Sequence, residues 1–194
     1  MRRAMGKKKQ SEMDKQRKLF VDGCALNELE GNGTGPGFRG AEDEWVARYP
    51  SGYGEPLKQA LAAYAGVKPE QVVTGCGSDD VLDSAVRAFA RPGETLACIA
   101  PTFPMPARFA QLNGLRVRET PVGPDGSFDP SALLLGDPAI VYLCSPNNPT
   151  GALLDGDAVD RVLAHAGGVV ILDEAYAEFA GVSRTAAAPA LGRV

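Results

Sequence analysis

One short segment of the sequence, residues 74–80, has the composition of an anion-binding turn. It reads Thr-Gly-Cys-Gly-Ser-Asp-Asp and lies between an apolar stretch and a helical pattern. Two glycines let a ligand approach the backbone closely, and the first amides of a helix attract negative charge. The segment lacks the lysine of a P-loop and does not match a dinucleotide-binding fingerprint. Ser78 therefore either caps the helix or contributes to an anion site, and this segment alone leaves both open.

Two further segments follow apolar runs and carry side-chain amides or a carboxylate. Residues 144–151 read Cys-Ser-Pro-Asn-Asn-Pro-Thr-Gly, a stiff turn that presents two amides between prolines. The apolar run 168–172 leads directly to Asp173. A carboxylate at the end of a buried strand needs a cation or hydrogen-bond donors. Asp173 therefore either meets a cationic group of a ligand or forms a structural cap or ion pair.

Strands that alternate with helices must position these three segments. We predict strands at 71–74, 95–100, 115–120, 139–144 and 168–173, and helices at 55–65, 78–90, 106–113, 131–135 and 155–166. This alternation predicts an α/β fold, a three-layer sandwich with a mostly parallel sheet. Ligands of such sheets bind at the carboxyl ends of the strands, so we expect the three segments to share one rim.

The composition excludes several classes of protein. The chain has 194 residues, of which 44% are hydrophobic and 23% charged, enough for a buried core. No apolar run is long enough for a membrane span. Residues 1–18 carry eight basic and two acidic side chains, while the rest carries 12 basic and 22 acidic ones. An acidic body argues against nucleic-acid binding. Four widely spaced cysteines favour a cytoplasmic protein with reduced thiols, and a single histidine argues against a multi-histidine metal site.

Several motifs, in order and with fitting spacing, resemble the class I and II aminotransferases of fold type I, which depend on pyridoxal phosphate. The motifs are Arg48-Tyr49-Pro50, Gly77-Ser78-Asp79, Pro101-Thr102-Phe103, Asn-Asn-Pro-Thr-Gly at 147–151 and Asp-Glu-Ala-Tyr at 173–176. Within that family the chain is most similar to the histidinol-phosphate aminotransferase group, over roughly residues 32–181. The resemblance implies the large domain of the pyridoxal-phosphate-dependent transferase fold, with pyridoxal 5'-phosphate as cofactor.

The resemblance assigns most of the cofactor contacts to the three segments already described. The backbone amides of Ser78 and Asp79 would hold the cofactor phosphate. Phe103 would stack on the pyridine ring, and Asn148 would bond the phenolic oxygen of the ring. Asp173 would pair with the protonated ring nitrogen and so strengthen the cofactor as an electron sink.

Further roles fall on residues around this core. Tyr176 would also reach the phenolic oxygen. Tyr49 would reach the phosphate in the neighbouring subunit, which implies a homodimer. Asn32 and Gly35 would lie in an entrance loop near the substrate. These assignments come from the resemblance and not from spacing alone.

The implied reaction is transamination, in which histidinol phosphate would donate its amino group to 2-oxoglutarate in histidine biosynthesis. Transamination needs a lysine that forms a Schiff base with the cofactor. The family places it well downstream of residues 173–176 in a Ser-Lys context, and this sequence has no such lysine. We therefore expect the chain to be the front part of a longer enzyme, without a catalytic residue of its own. Two alternatives are a non-catalytic cofactor-binding or interaction module and part of a related amino-acid-phosphate decarboxylase.

Four segments are expected along the chain. They are a basic, disordered arm at 1–22, an entrance loop with a short helix at 23–54, a partial cofactor-binding domain at 55–181 and a tail without family character at 182–194. In the family's sheet the fifth strand is followed by the fourth, second and third, and two later strands separate the fifth from the first. Because those two strands are not encoded here, we expect 168–172 to be an open edge and 71–74 to be loose or paired with it.

Overall fold

The computed structural model describes residues 18–21 and 55–185 of the chain. In these residues one parallel sheet lies between two layers of helices. The strands are β1 (Lys18–Val21), β2 (Thr95–Ala100), β3 (Arg116–Pro121), β4 (Ile140–Cys144) and β5 (Val169–Asp173). The helices are α1 (Glu55–Ala65), α2 (Gly77–Phe89), α3 (Met105–Leu112), α4 (Pro130–Leu134), α5 (Gly156–His165) and α6 (Ala177–Ala180), with a 3-10 turn at Pro69–Gln71.

The core has two halves because the side chains of each strand alternate between the two faces of the sheet. On one face, Tyr142 and Ile171 pack with Leu82 of α2 and Ala110 of α3. On the other face, apolar side chains of the same strands pack with residues of α4 and α5. Every residue of β4 and β5 is buried, as continuous apolar strands of a covered parallel sheet require. The predicted three-layer α/β architecture is confirmed.

The order of the strands brings the loops of the predicted site together. The sheet has the order β1-β5-β4-β2-β3, and all the pairs are parallel. The order of β5, β4, β2 and β3 confirms the prediction. In the register of β4 and β5, Cys144 lies opposite Asp173, so the loops that follow these two residues leave the sheet at the same rim.

The predicted strand at 71–74 is wrong. Pro69–Gln71 form a 3-10 turn, in which Lys68 N–H donates to Gln71 Oε1 at 3.0 Å and Gln71 N–H donates to the Lys68 carbonyl at 2.9 Å. Residues 72–75 belong to no helix or strand. Their apolar residues fit the sequence pattern of a strand, but they pair with no strand among the described residues.

The prediction of an open β5 edge is also wrong. β1 pairs with β5 in parallel, with Phe20 opposite Leu172 and Val21 opposite Asp173. These residues fall inside the segment 1–22, for which we expected no element. A buried strand with free backbone groups is a template for any apolar run within reach, and Leu19-Phe20-Val21 is such a run. The entrance loop and short helix expected at 23–54 lie outside the described residues.

No described helix has both the length and the apolar character that a membrane crossing would need.

Candidate functional site

The carboxylate of Asp173 is buried at the end of β5, with only 3% of the residue exposed. Its Oδ2 accepts a hydrogen bond from the Tyr142 hydroxyl at 2.8 Å, and its Oδ1 accepts one from the Ala175 amide at 3.1 Å. In the part of the chain that the structure describes, no Lys, Arg or His forms an ion pair with it. Among the described residues Asp173 therefore belongs to no ion pair, and it is not the cap of α6, because that position is Tyr176.

The environment of Asp173 disfavours the charged form of its carboxyl group. Burial raises the pKa of the Asp173 carboxyl above its ordinary value, and the nearby carboxylates of Asp79 and Glu174 raise it further. The bonds from Tyr142 and Ala175 act in the opposite direction without cancelling the effect of burial. Burial likewise raises the pKa of Tyr142, so this hydroxyl stays a donor. A protonated ring nitrogen of a ligand would relieve the unfavourable charge of Asp173.

Asn148 and Tyr176 line one cleft, whose lining does not include Asp173, Ser78 or Asp79. The cleft has a volume of about 500 Å³. Its lining consists of Pro146, Asn147, Asn148, Pro149, Gly151, Leu153, Tyr176, Phe179 and Ala180. The rings of Tyr176 and Phe179 lie 6.4 Å apart at 46°. The structure thus brings two of the predicted phenolic-oxygen ligands together, in a cleft large enough for a small aromatic molecule.

The start of α2 is where we predicted an anion site. Ser78 and Asp79 lie in its first turn, where amides without helical partners point out of the helix. The position before the helix is Cys76, whose N–H donates to Asp80 Oδ2 at 2.9 Å. Ser78 is therefore not the cap of the helix, and that alternative is wrong. The carboxylate of Asp79 lies near enough to Asp173 to contribute to its raised pKa.

Gly75 explains why the turn before α2 is rich in glycine. A Cβ at this position would lie 2.8 Å from Asp80 Oδ2 and 2.9 Å from Val81 Cγ2, closer than real Cβ contacts allow. The glycine therefore allows the chain to pass tightly over the first turn of α2. The space beside Gly75 is thus filled by the side chains of Asp80 and Val81.

The remaining predicted site residues have mixed outcomes. Phe103 is half-buried and packs against the core cluster that contains Tyr142, and it is not among the residues that line the cleft. Tyr49, Asn32 and Gly35 lie outside the described residues. No cluster of His, Cys, Asp and Glu that could bind a metal ion occurs within residues 18–21 and 55–185.

Asn147 and Glu174 are two buried polar residues beside the predicted site residues that the sequence did not single out. Asn147 is 1% exposed. Its Nδ2 donates to the Pro101 carbonyl at 2.9 Å and to Thr150 Oγ1 at 3.0 Å, while its Oδ1 accepts from the Thr102 hydroxyl at 2.8 Å. The signal was present in the sequence as two adjacent asparagines, but nothing local distinguishes the one that faces inward.

Glu174 ties the segment after α6 to the end of β5. Its carboxylate accepts hydrogen bonds from the Ser183 hydroxyl at 2.6 Å, the Arg184 amide at 2.7 Å and the Thr185 hydroxyl at 2.9 Å. The Arg184 guanidinium also pairs with Asp160 of α5. These bonds hold residues 183–185 against Glu174, just after β5, and against α5. These residues belong to the segment 182–194, for which we expected a tail without family character.

Comparison with known proteins agrees with this architecture. The family model for aminotransferase class I and II matches residues 39–192. The chain belongs to this family. The match includes most of the segment set apart as a tail in the sequence analysis, and the fold is that of the pyridoxal-phosphate-dependent transferases.

Individual relatives show how much of the family this chain spans. It is 37% identical over 145 residues to the histidinol-phosphate aminotransferase of Desulfitobacterium hafniense (strain Y51), which covers 70% of this chain and 40% of the relative. The histidinol-phosphate aminotransferase of Sinorhizobium meliloti in complex with pyridoxal-5'-phosphate has a similar fold, with a TM-score of 0.63 and 24% identity over 94% of this chain and 50% of that one.

A third likeness falls outside the aminotransferases. The L-threonine-O-3-phosphate decarboxylase of Porphyromonas gingivalis gives a TM-score of 0.58 at 25% identity, over 69% of this chain and 42% of that one. The chain spans about 40% of the length of the curated relatives it matches.

Proposed function

We propose that this chain forms the ring-nitrogen and phosphate walls of a pyridoxal-phosphate site in an aminotransferase. The observation that carries the proposal is the carboxylate of Asp173, which is 3% exposed and has two neutral donors but no cation among the described residues. Burying such a charge is unfavourable unless a positive partner completes the site. The protonated pyridine nitrogen is a partner of that kind.

The neighbouring residues fit the other groups of the same cofactor. The amides of Ser78 and Asp79, at the start of α2, suit the phosphate. Asn148 and Tyr176 suit the phenolic oxygen, because both line one cleft and follow β4 and β5, whose ends lie side by side. Phe103 would turn from its half-buried position to cover the ring. Bound there, the cofactor would supply an electron sink for the amino-bearing carbon of the substrate.

The protein's own groups would hold and orient the reactants. Asp173 would keep a proton on the ring nitrogen, since its burial strengthens a charged hydrogen bond. Tyr142 would fix the orientation of the Asp173 carboxylate through its hydrogen bond to Oδ2. In a homodimer, Tyr49 would reach the phosphate bound to the neighbouring subunit, while Asn32 and Gly35 would border the entrance.

The proposed substrates are histidinol phosphate as amino donor and 2-oxoglutarate as acceptor, in the cytoplasm. This part of the proposal is supported by identity of 37% to 39% to histidinol-phosphate aminotransferases over 70% of the chain. Transamination also needs a lysine that carries the cofactor. The described residues of the cleft wall include no lysine. Because the chain spans about 40% of the length of these relatives, we propose that the lysine lies in a part of the family that this sequence does not include, and we expect no turnover by this chain alone.

Titration with pyridoxal 5'-phosphate tests the proposal. We expect Asp173→Asn to weaken binding by about 10- to 100-fold, because a charge-assisted hydrogen bond contributes roughly 1.5–3 kcal/mol. Asp157→Asn, which alters an exposed carboxylate on α5, is the matched control and should bind like the wild type. Equal affinity of the wild type and Asp173→Asn would contradict the proposed role of Asp173.

The likeness to a phosphothreonine decarboxylase supports a second candidate function, decarboxylation of an amino-acid phosphate. The two reactions differ in their products, because decarboxylation releases carbon dioxide and needs no 2-oxo acid. Assays with the lysine-bearing polypeptide added, once with each substrate pair, separate them. A chain that binds no cofactor in the titration would instead favour an interaction module.

A further inference from the structure

Asn147 joins two loops that carry different parts of the candidate site. The loop after β2 contains Pro101, Thr102 and Phe103, and the loop after β4 contains Asn148. β2 and β4 are neighbours in the sheet, so the two loops leave the same rim side by side. Across this gap, Asn147 donates to the Pro101 carbonyl and accepts from the Thr102 hydroxyl, at 2.9 and 2.8 Å.

The same residue also closes the loop in which it lies. Its side chain donates to Thr150 Oγ1 at 3.0 Å. Its backbone N–H donates to the Ala152 carbonyl at 2.8 Å, and its carbonyl accepts from Gly151 N–H at 2.6 Å. Both the main chain and the side chain of Asn147 are therefore fixed, and the orientation of the adjoining Asn148 follows from them.

The bonding of Asn147 leaves it unable to serve as a ligand group itself. It is 1% exposed, both amide hydrogens of Nδ2 have acceptors, and Oδ1 has a donor. Asn148, by contrast, is half-buried at the cleft wall. Two adjacent residues of one type thus have separate tasks, in which the inner one holds the loops and the outer one faces the ligand.

We propose that Asn147 is a positioning residue that sets Phe103 and Asn148 relative to one another through Thr102. The effect of Asn147 on cofactor binding rests on the proposed function. The coupling of the two loops does not, because the bonds that join them are present without any ligand. Loss of the bond between Thr102 and Asn147 should therefore loosen both loops together, including the one that is not mutated.

The first experiment measures hydrogen exchange in the cofactor-free chain. Thr102→Val removes the hydroxyl and keeps the shape of the side chain, and Thr102→Ser keeps the hydroxyl. We expect faster exchange in peptides that cover 146–152 in Thr102→Val and wild-type exchange there in Thr102→Ser. Asn113→Ala is the matched control, because Asn113 is a half-buried amide that bonds Phe109 and Asp83 away from the rim. Unchanged exchange at 146–152 in Thr102→Val would overturn the coupling.

The second experiment measures the affinity for pyridoxal 5'-phosphate in a mutant cycle. We expect Thr102→Val to weaken binding by about threefold to tenfold, as loss of one buried hydrogen bond predicts. In the wild-type background, the changes in binding free energy caused by Phe103→Leu and Asn148→Ala should be non-additive. In the Thr102→Val background, the same two changes in binding free energy should add. A merely structural role would lower stability and leave this coupling unchanged.

The outcomes separate the inference from the function on which it rests. No binding by the wild type would remove the proposed function, and the positioning role toward a cofactor with it, while the exchange result still decides the coupling of the loops. Binding by the wild type with equal coupling in both backgrounds would overturn the positioning role and leave the proposed function intact.

Discussion

The candidate site has two sides that the fold holds in different ways. The ring side, Tyr142, Asn147 and Asp173, lies at the ends of β4 and β5 and is almost fully buried. The phosphate side, residues 72–79, runs from the 3-10 turn into α2, and 67% of Val73 is exposed. The ring side is fixed by contacts between distant parts of the chain, such as the bond from Tyr142 to Asp173. The phosphate side is fixed mainly by neighbours in sequence, such as the bond from Cys76 to Asp80.

This difference bears on how each side would meet a ligand. Opening the ring side requires the sheet to separate, whereas the phosphate side can open without disturbing β4 or β5. The position of the Asp173 carboxylate is thus fixed before any ligand binds. The positions of the Ser78 and Asp79 amides depend on how firmly the first turn of α2 is held.

Hydrogen exchange of single amides gives the largest test of this comparison. We expect Val141 and Val170, in the central strands, to be protected about 1,000-fold or more beyond Val72 and Val73, because core strands open only near the global free energy of unfolding. Measurement by NMR or by mass spectrometry at fixed pH would show it. Equal protection at all four valines in a monomeric chain would mean that the two sides form one cooperative unit.

The sequence predicted the ring side better than the phosphate side, and the reason is physical. β4 and β5 are continuous apolar runs whose type does not depend on what lies beside them, and Asp173 follows one of them directly. Residues 71–74 could be a strand only with a neighbour, and the edge of β5 was instead taken by Lys18–Val21. The difference between Asn147 and Asn148 depends in part on Pro101 and Thr102, which are more than 40 residues away in the chain.

Substitution of Asp173 should separate stability from binding. We expect Asp173→Asn to raise the free energy of unfolding of the cofactor-free chain at neutral pH, by about 1–3 kcal/mol, since it removes a buried charge without a cation. The same change weakens cofactor binding in our proposal. Urea denaturation at pH 7, with Asp157→Asn as control, measures the first effect. A less stable Asp173→Asn chain would show that the charged carboxylate is already well compensated by Tyr142 and Ala175.

The sign of the pH dependence follows from the raised pKa of Asp173. Below pH about 4, the carboxyl is protonated in the folded and the unfolded chain and has no effect. As the pH rises above about 4, the unfolded chain releases this proton first, so stability falls by up to about 1.4 kcal/mol per pH unit until the folded pKa is reached. Asp173→Asn should remove this contribution, and Asp157→Asn should keep it. An identical pH profile in the wild type and Asp173→Asn would contradict the direction of the shift.

Removal of β1 tests whether the ring side depends on its covered edge. Two truncated chains, one beginning at residue 18 and one at residue 22, differ only in the four residues that pair with β5. We expect the shorter chain to self-associate at about tenfold lower concentration, equivalent to about 1.4 kcal/mol, because the β5 edge becomes available for pairing. Light scattering against concentration measures this. Equal association of the two chains would mean that β1 does not protect the edge in solution.

The smallest expected effect concerns the hydrogen bond from Cys76 N–H to the Asp80 side chain of α2. Asp80 accepts from Cys76 N–H in the way a capping side chain satisfies an unpaired amide at a helix start. We expect Asp80→Ala to lower the free energy of local opening at residues 75–78 by about 1 kcal/mol, a typical value for the loss of such a bond, and to leave the global free energy of unfolding unchanged. Arg87→Ala, which breaks the exposed pair with Asp83 on the same helix, is the control and should cost only about 0.3–0.5 kcal/mol. If the phosphate side opens independently of the core, Asp80→Ala will leave the unfolding free energy unchanged and speed exchange only at residues 75–78. A loss of 1 kcal/mol with uniform acceleration across β4 and β5 would instead join the two sides into one unit and end the distinction drawn between them.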